Sequence, residues 1–460
     1  MIYTDTICAI SSGYNQSAIA LIRISGEDAF KICNKIFKRL NKKKISPEEK
    51  RQVLFGEIVI DNKVIDEVLL TLFAKPQSYT GENIVEISCH GSKYIQDVII
   101  QTLIKNGCRL ARKGEFTLRA FLNKKIDLSQ AEGVAELISS ENEEAHQFAM
   151  QQMRGGFSNE IQILRHRFVK FASLIELELD FSQEDVQFAN REELSQIIGE
   201  IKSKVSSLLN SFQYGNVLKN GTPISIVGNP NSGKSTLLNT ILNEERAIVS
   251  DIKGTTRDTI EEDIIIKGHK FKFIDTAGLR NTKNKIEKKG IEKTFQKIGS
   301  SAIVIYLIDK ENFDKKEVEK EITRIKQKLN KPAEIIVVAN KNDINNSTIA
   351  LDLEDKNEII HICAKNRDTI SQLLDSIIDK IDLWKELNQN TIIINQRHFE
   401  SLTNTIRSIN EIQKGLSHDI SGELLVLDIK RCLDFLGEIT GEITNEDLLD
   451  SIFRDFCIGK

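Results

Sequence analysis

Residues Gly228-Asn229-Pro230-Asn231-Ser232-Gly233-Lys234-Ser235 decide the fold. They follow an apolar run with the look of a buried strand, Ile224-Ser225-Ile226-Val227, and precede Thr236-Leu237-Leu238-Asn239-Thr240-Ile241-Leu242, which reads as a helix. Strand, GxxxxGK[ST] loop and helix in that order make a P-loop. Its glycines let backbone N–H groups curl round phosphates, and the helix start adds a favourable dipole field. Gly228, Asn231, Ser232, Gly233 and Thr236 are therefore nucleotide-binding candidates. Lys234 neutralises β/γ charge, and Ser235 offers its hydroxyl to Mg2+.

Downstream, Phe271-Lys272-Phe273-Ile274 runs into Asp275-Thr276-Ala277-Gly278. A strand ending in Asp-x-x-Gly brings the Asp275 carboxylate near the metal and leaves the Gly278 N–H to sense a γ-phosphate. A further strand, Ile335-Ile336-Val337-Val338-Ala339, leads to Asn340-Lys341-Asn342-Asp343. The Asp343 carboxylate can accept from N1–H and the 2-amino group of guanine. Adenine has neither donor there, so the pattern selects GTP over ATP. Cys363-Ala364-Lys365 stands where such domains carry Ser-Ala-Lys and back the base with a backbone N–H. Within Gly254-Thr255-Thr256-Arg257-Asp258, Thr256 is the candidate switch threonine, closing over Mg2+ when the γ-phosphate is present. Leu279 follows Gly278, where many small GTPases place a glutamine that orients the attacking water. Leucine cannot do this. Glu287, the next carboxylate downstream, is the candidate to position the water, directly or through a second water.

The 460 residues predict two to four domains. A chain 40% hydrophobic and 28% charged is a globular one, and five prolines suggest that much of it is helical. A net charge of -4 argues against non-specific wrapping of nucleic acid, so any RNA contact is local. The cluster Lys38-Arg39 with Lys42-Lys43-Lys44 reads as a solvated loop. Seven scattered cysteines without a CxxC pair point to a reducing compartment rather than to disulfides or structural zinc. The longest apolar run, near 302–308, is too short to span a bilayer. With no signal-like N-terminus, a cytoplasmic location is expected.

The expected fold class is multidomain, α/β and all-α. Residues 1–118 mix β-type runs at Ala18–Ser25, Gln52–Ile60, Val68–Ala74 and Ile84–Cys89 with helical spacing over Glu27–Lys38 and Tyr94–Lys105, an α+β domain. Residues 119–217 turn helical. Residues 218–381 alternate strand and helix as an inserted Ras-like P-loop α/β G domain, and residues 382–460 are helical again. Ser129-Gln130-Ala131-Glu132 and Thr444-Asn445-Glu446-Asp447 read as capping boxes.

Four blocks outside the G domain carry a resemblance. They are Thr6–Ile10 with Leu21–Gly26; Ser78–Ile87 with Cys89-His90-Gly91; Lys113–Lys125, containing Phe121-Leu122-Asn123; and Phe456-Cys457-Ile458-Gly459-Lys460. With the GTPase motifs, the whole chain closely resembles the tRNA wobble-uridine modification GTPases called MnmE or TrmE. The resemblance implies an N-terminal tetrahydrofolate-binding and dimerisation domain, similar in fold to tetrahydrofolate-dependent enzymes, and a helical domain interrupted by the G domain. Arg23, Glu86, Lys125 and Lys460 match positions that contact 5-formyltetrahydrofolate there. A carboxylate suits the guanine-like donor edge of a pterin, and arginine or lysine suits an anionic glutamate tail.

The resemblance also implies activation by K+ and by pairing of G domains across their nucleotide faces. Asn231 matches the K+-ligand asparagine, and backbone groups of Ser250, Ile252 and Thr255 complete that site beside the nucleotide. Such a cation supplies the charge that an arginine finger supplies elsewhere. Glu287 falls on the water-positioning glutamate. Arg280 matches a switch arginine whose role the residues do not reveal, and Asn281 departs from a glutamate in other members. Cys457 has two readings: a small buried hydrophobe, or a reactive thiol brought to the modification site. Cys8, Cys33, Cys89, Cys108 and Cys432 read as structural, and His90 is a candidate to line the folate pocket.

The implied protein is a homodimer working with a FAD-dependent subunit, MnmG (GidA), in a heterotetramer. Together they add an aminomethyl or carboxymethylaminomethyl group to C5 of the wobble uridine of certain tRNAs, with GTP turnover opening and closing the G domains. One rival is an Era/Der-like ribosome-assembly GTPase, which would carry a KH-type unit; no GxxG clamp stands in a suitable setting. A second is a folate-dependent aminomethyltransferase with an added regulatory domain.

Overall fold

The computed structural model describes residues 5–39, 41, 43–49, 52–180, 191–243, 248–249, 262–274, 301–327, 329, 333–344, 359–387, 395–418, 420, 422–444, 446–454, 456–457 and 459. The chain divides into two compact units. One is Met1–Ile138 with Gln151–Arg165 and Leu433–Lys460; the other is Ser139–Met150 with His166–Cys432.

The first unit opens with β1 (Thr6–Ile10), β2 (Ile19–Ser25), α1 (Ala29–Ile36), β3 (Phe37–Arg39), β4 (Val53–Ile60), β5 (Lys63–Phe73), β6 (Ile84–His90), α2 (Lys93–Lys105) and β7 (Cys108–Leu110). These strands form one sheet in the order β3-β4-β5-β6-β2-β1-β7, antiparallel except for β1 beside β7. The period-2 pattern explains its two faces. Val68, Leu70 and Leu72 of β5 are buried with Phe30, Cys33 and Ile36 of α1 and Ile99 and Leu103 of α2. On the other face, Ile7 and Ala9 pack against Phe116 of α3 (Glu115–Leu122).

Helices follow: α4 (Leu128–Ser139), α5 (Glu143–Met153), α6 (Gly156–Asp180) and α7 (Arg191–Asn220). The start of α4 corrects the sequence reading. The capping box sits two residues before the expected Ser129: Gln130 N donates to Asp127 Oδ1 at 2.9 Å, and Asp127 N donates to Gln130 Oε1 at 3.0 Å. Asp127 and Gln130 form the same reciprocal motif as a serine and glutamate would, and Ser129 and Glu132 are already buried inside the helix.

The second unit holds β8 (Thr222–Val227), α8 (Lys234–Leu242), β9 (Ile248–Val249), β10 (Glu262–Ile266), β11 (His269–Phe273), β12 (Ile303–Asp309), α9 (Lys315–Lys326), β13 (Glu334–Asn340), β14 (Ile360–His361), α10 (Arg367–Leu387) and α11 (Gln396–Ser417). Helices α12 (Gly422–Thr440) and α13 (Glu446–Phe453) complete the described elements. The sheet order is β14-β13-β12-β8-β11-β10-β9, parallel from β14 to β11 with an antiparallel edge. Central β12 is buried at every residue, which is why its sequence is apolar without alternation. Helices α8 and α10 cover one face, through residues such as Leu237 and Leu373, and α9 covers the other through Val318 and Ile322.

Helices α7 and α11 flank this block in sequence and pair with each other. The Phe212 and Phe399 rings stack at 4.4 Å, and Lys202 Nζ donates to Gln413 Oε1 at 2.8 Å. In the first unit, Leu128 and Ala131 of α4 share a small core with Phe453 and Phe456. Among the described residues, no helix is long and apolar enough to cross a membrane.

Candidate functional site

The P-loop leaves β8 through Gly228, at φ 145°, and enters α8 through Gly233, at φ 99°. Neither position tolerates a side chain. A methyl group on Gly228 would sit 2.2 Å from Leu307 O, and one on Gly233 would sit 2.2 Å from Asn340 Nδ2. Asn231 turns the loop with a left-handed φ of 65°. The Lys234 ammonium curls back onto the loop, donating to Gly228 O and Asn229 O, each at 2.8 Å. Burial holds its pKa below the usual lysine value. Two carbonyl oxygens thus satisfy a charge that phosphate oxygens satisfy better. The Ser232 hydroxyl is buried with no hydrogen-bond partner among the described residues. Ser235 and Thr236 lie in the first turn of α8, where N–H groups have no helical acceptor.

The guanine motif is tied to this loop. Asn340, at the end of β13, is 3% exposed and cross-links two segments. Its Nδ2 donates to Ser232 O at 2.7 Å, and its Oδ1 accepts from Ala364 N at 2.8 Å. Thr240 of α8 also donates to Ala364 O at 2.8 Å. Lys341 has a left-handed φ of 67°, while Asp343 and Lys365 are exposed. Cys363 N donates to the Thr369 hydroxyl at 3.1 Å. Gly228 to Thr236, Asn340 to Asp343 and Cys363 to Lys365 are thereby brought together. Ser250, Ile252, Thr255, Thr256, Asp275, Gly278, Arg280, Asn281 and Glu287 lie outside the described residues, as does Lys460.

The folate candidates divide. Arg23 of β2 and Glu86 of β6 are register partners on adjacent strands. They form an ion pair, with Arg23 Nη2 2.8 Å and Nε 2.9 Å from Glu86 Oε1. The guanidinium lies 5.6 Å from the Tyr79 ring centroid and 5.7 Å from that of Phe116. Its Nη1 also donates to Gly459 O at 3.4 Å, and Ser11 Oγ donates to the same carbonyl at 2.9 Å. The segment ending at Gly459 is thus seated beside the pair. Lys125 is directed to Pro76 O at 3.1 Å, on the loop that carries Tyr79. His90 is not in this cluster: it pairs with Asp66 at 2.7 Å.

Sequence reading gave no role to Tyr79 and Phe116, although both lie in the quoted blocks. A ring under a cation is a property of the fold. It also gave none to Arg119, which is 1% exposed and bonded to Asp5, Glu82 and Glu115.

The cysteines separate by environment. Cys8, Cys33, Cys89, Cys108 and Cys432 are buried. Burial pushes the Cys89 thiol up to about 11 and that of Cys432 to about 12, so both stay protonated at neutral pH. Cys457 alone is exposed. It lines a cleft of about 560 Å³ with Ile10, Ser11, Tyr14, Asp97 and Ile100.

Two family models match the chain. One, described as the MnmE helical domain, matches residues 128–457, and the other, described as the GTP-binding protein TrmE N-terminus, matches residues 6–125. The chain is 49% identical to the tRNA modification GTPase MnmE of Christiangramia forsetii, over 99% of each chain. It is also 49% identical to that of Flavobacterium psychrophilum, over 100% of each. Among solved structures, the G domain of the T. maritima FeoB iron transporter matches at 18% identity with a TM-score of 0.26, over 34% of this chain and 97% of that one. Similarity spanning the N-terminal sheet, the helices and the nucleotide motifs makes the chain a member of the MnmE family of tRNA modification GTPases, an enzyme that hydrolyses GTP in tRNA modification.

Proposed function

We propose that this GTPase is K+-activated and acts as a cytoplasmic homodimer with the FAD-dependent subunit MnmG (GidA). The pair adds an aminomethyl or carboxymethylaminomethyl group to C5 of the wobble uridine of certain tRNAs, using a one-carbon tetrahydrofolate. In the G domain, backbone N–H groups of the P-loop and Lys234 cradle the phosphates. Ser235 and Thr256 would hold Mg2+, with Asp275 the candidate carboxylate for the metal and Gly278 the candidate sensor of the γ-phosphate. Asn231, with backbone groups of Ser250, Ile252 and Thr255, would hold K+, which would supply positive charge against the charge developing on the phosphates. Asn340, Lys341 and Asp343, with Cys363, Ala364 and Lys365, enclose the guanine. Glu287 positions the attacking water.

One observation supports the nucleotide reading above the others: Asn340 joins Ser232 and Ala364, so phosphate and base segments share one buried hub. For folate, the support is chemical. Arg23 lies beside two aromatic rings and pairs with the Glu86 carboxylate, a set suited to a pterin edge and an anionic tail. Lys125 and Lys460 add positive charge in this reading, and Cys457 brings a thiol on the same terminal segment.

The test is GTP hydrolysis with Mg2+ in KCl and in NaCl at matched ionic strength. The expected rate is at least about tenfold higher in KCl, a modest share of what charge stabilisation supplies elsewhere. Equal rates overturn the cation mechanism. Failure of the gene to restore modified wobble uridine in cells lacking it would favour the Era/Der-like reading.

A further inference from the structure

The end of β12 grips the guanine motif at several points. The Asp309 side chain is 6% exposed, and its Oδ2 accepts from Lys341 Nζ at 2.7 Å. Its Oδ1 accepts from Glu311 N at 3.1 Å, which fixes the next turn. Glu311 Oε2 lies 3.2 Å from the same Lys341 ammonium. Between them, Lys310 Nζ donates to Asn342 Oδ1 at 2.6 Å, and Lys310 N donates to Asn340 O at 3.3 Å. Residues 309–311 therefore hold three consecutive residues, 340–342.

Those three residues change direction sharply. Asn340 faces the P-loop. Lys341 takes a left-handed conformation, φ 67°, that a side chain with a Cβ ordinarily avoids. Asp343 then emerges exposed. A lysine held in this region needs surroundings that over-determine it. The two carboxylates supply that constraint, and their hydrogen bonds hold the Lys341 ammonium above the usual lysine pKa.

We infer that Asp309, assisted by Glu311, is a positioning residue for guanine recognition: it pins Lys341 in its left-handed turn and so aims the Asp343 carboxylate at the base. The inference rests on the reading of Asp343 as the base acceptor. Asp309 touches no nucleotide atom in this scheme. It acts through Lys341, and it restricts the loop before any ligand arrives.

A double-mutant cycle on the full chain separates this role from a merely structural one. Calorimetry gives Kd for GDP, and steady-state hydrolysis in KCl with Mg2+ gives kcat and KM, for Asp309→Asn, Lys341→Met and the double variant. Asp309→Asn is expected to raise Kd and KM roughly tenfold, as for residues sharing one ion-pair network, with kcat at saturation within about twofold. The double variant binds no more weakly than Lys341→Met alone. Additive losses, or unchanged GDP affinity in Asp309→Asn, overturn the inference. If Asp309→Asn lacks the wild-type thermal transition, Glu311→Gln replaces it in the cycle with the same criterion. Asp343→Asn tests the underlying reading separately. Kept preference for guanosine over adenosine nucleotides would remove the base acceptor itself, whereas lost preference with an additive cycle removes only the role of Asp309.

Discussion

Arg119 carries a full charge at 1% exposure, and three carboxylates within hydrogen-bonding distance make that tolerable. Arg119→Ala would leave Glu115, itself 2% exposed, with a weakened counter-charge. The expected loss is about 3–5 kcal/mol, read as a lower urea midpoint; an unchanged midpoint rejects the assignment. The same cluster sets a pH dependence. Burial alone would raise the carboxyls of Asp5 and Glu115, but Arg109 and Arg119 draw both below the usual carboxylate range. A carboxyl depressed on folding stabilises the native state above its unfolded pKa, near 4, and that contribution disappears as pH falls through the folded value. The first unit should therefore lose stability on acidification below about pH 4, measurable by urea unfolding at pH 6 and pH 3. Equal stability at both would show that the cluster contributes nothing. At Cys457, Cys457→Ser is expected to leave folding intact and abolish wobble-uridine modification in a complementation assay. Full restoration would return the thiol to a structural role.

At the scale of elements, the β10–β11 hairpin bears on the start of α5. Glu144, 4% exposed, lies 2.7 Å from His269 Nδ1, and Lys270 bridges Glu141 at 2.8 Å and Asp263 at 3.0 Å. Glu144→Ala is expected to cost about 1–3 kcal/mol by removing the carboxylate beside the buried His269 imidazole. A melting temperature equal to wild type would contradict this. None of these contacts could be read from sequence, because Glu141, Glu144, His269 and Lys270 are polar residues of kinds usually found at least partly solvated. What the sequence did disclose were elements whose local pattern coincides with their burial. The unbroken apolar β12, the apolar run Val68–Ala74 that falls largely within β5 and the strand–loop–helix around Lys234 are of this kind. Three-residue β3 and β7 were missed because a strand that short has no period to detect. The α4 cap was displaced because Asp127 and Gln130 form the same motif as a serine and glutamate. The Arg23–Glu86 pair needed the register of β2 against β6, which no single strand contains.

For the whole molecule, the proposed function assigns guanine nucleotide to one unit and folate to the other. GDP at about 100 times its Kd should stabilise the unit it binds by about 2.7 kcal/mol. 5-Formyltetrahydrofolate should do the same for the other. Calorimetric scans with each ligand are expected to shift different transitions, and identical shifts would mean that the units unfold as one. The first unit also draws its parts from far along the chain: residues up to 138 meet 433–460, and the carbonyl of Gly459 receives Ser11 and Arg23. A ribosome adding about 5–20 residues per second needs roughly 15 to 60 seconds to travel between those stretches. During that wait the sheet exists without its last seat filled, so premature termination anywhere downstream of the nucleotide-binding segment would release a polypeptide whose GTP site is made but whose first unit stays open, a natural substrate for chaperones and proteases.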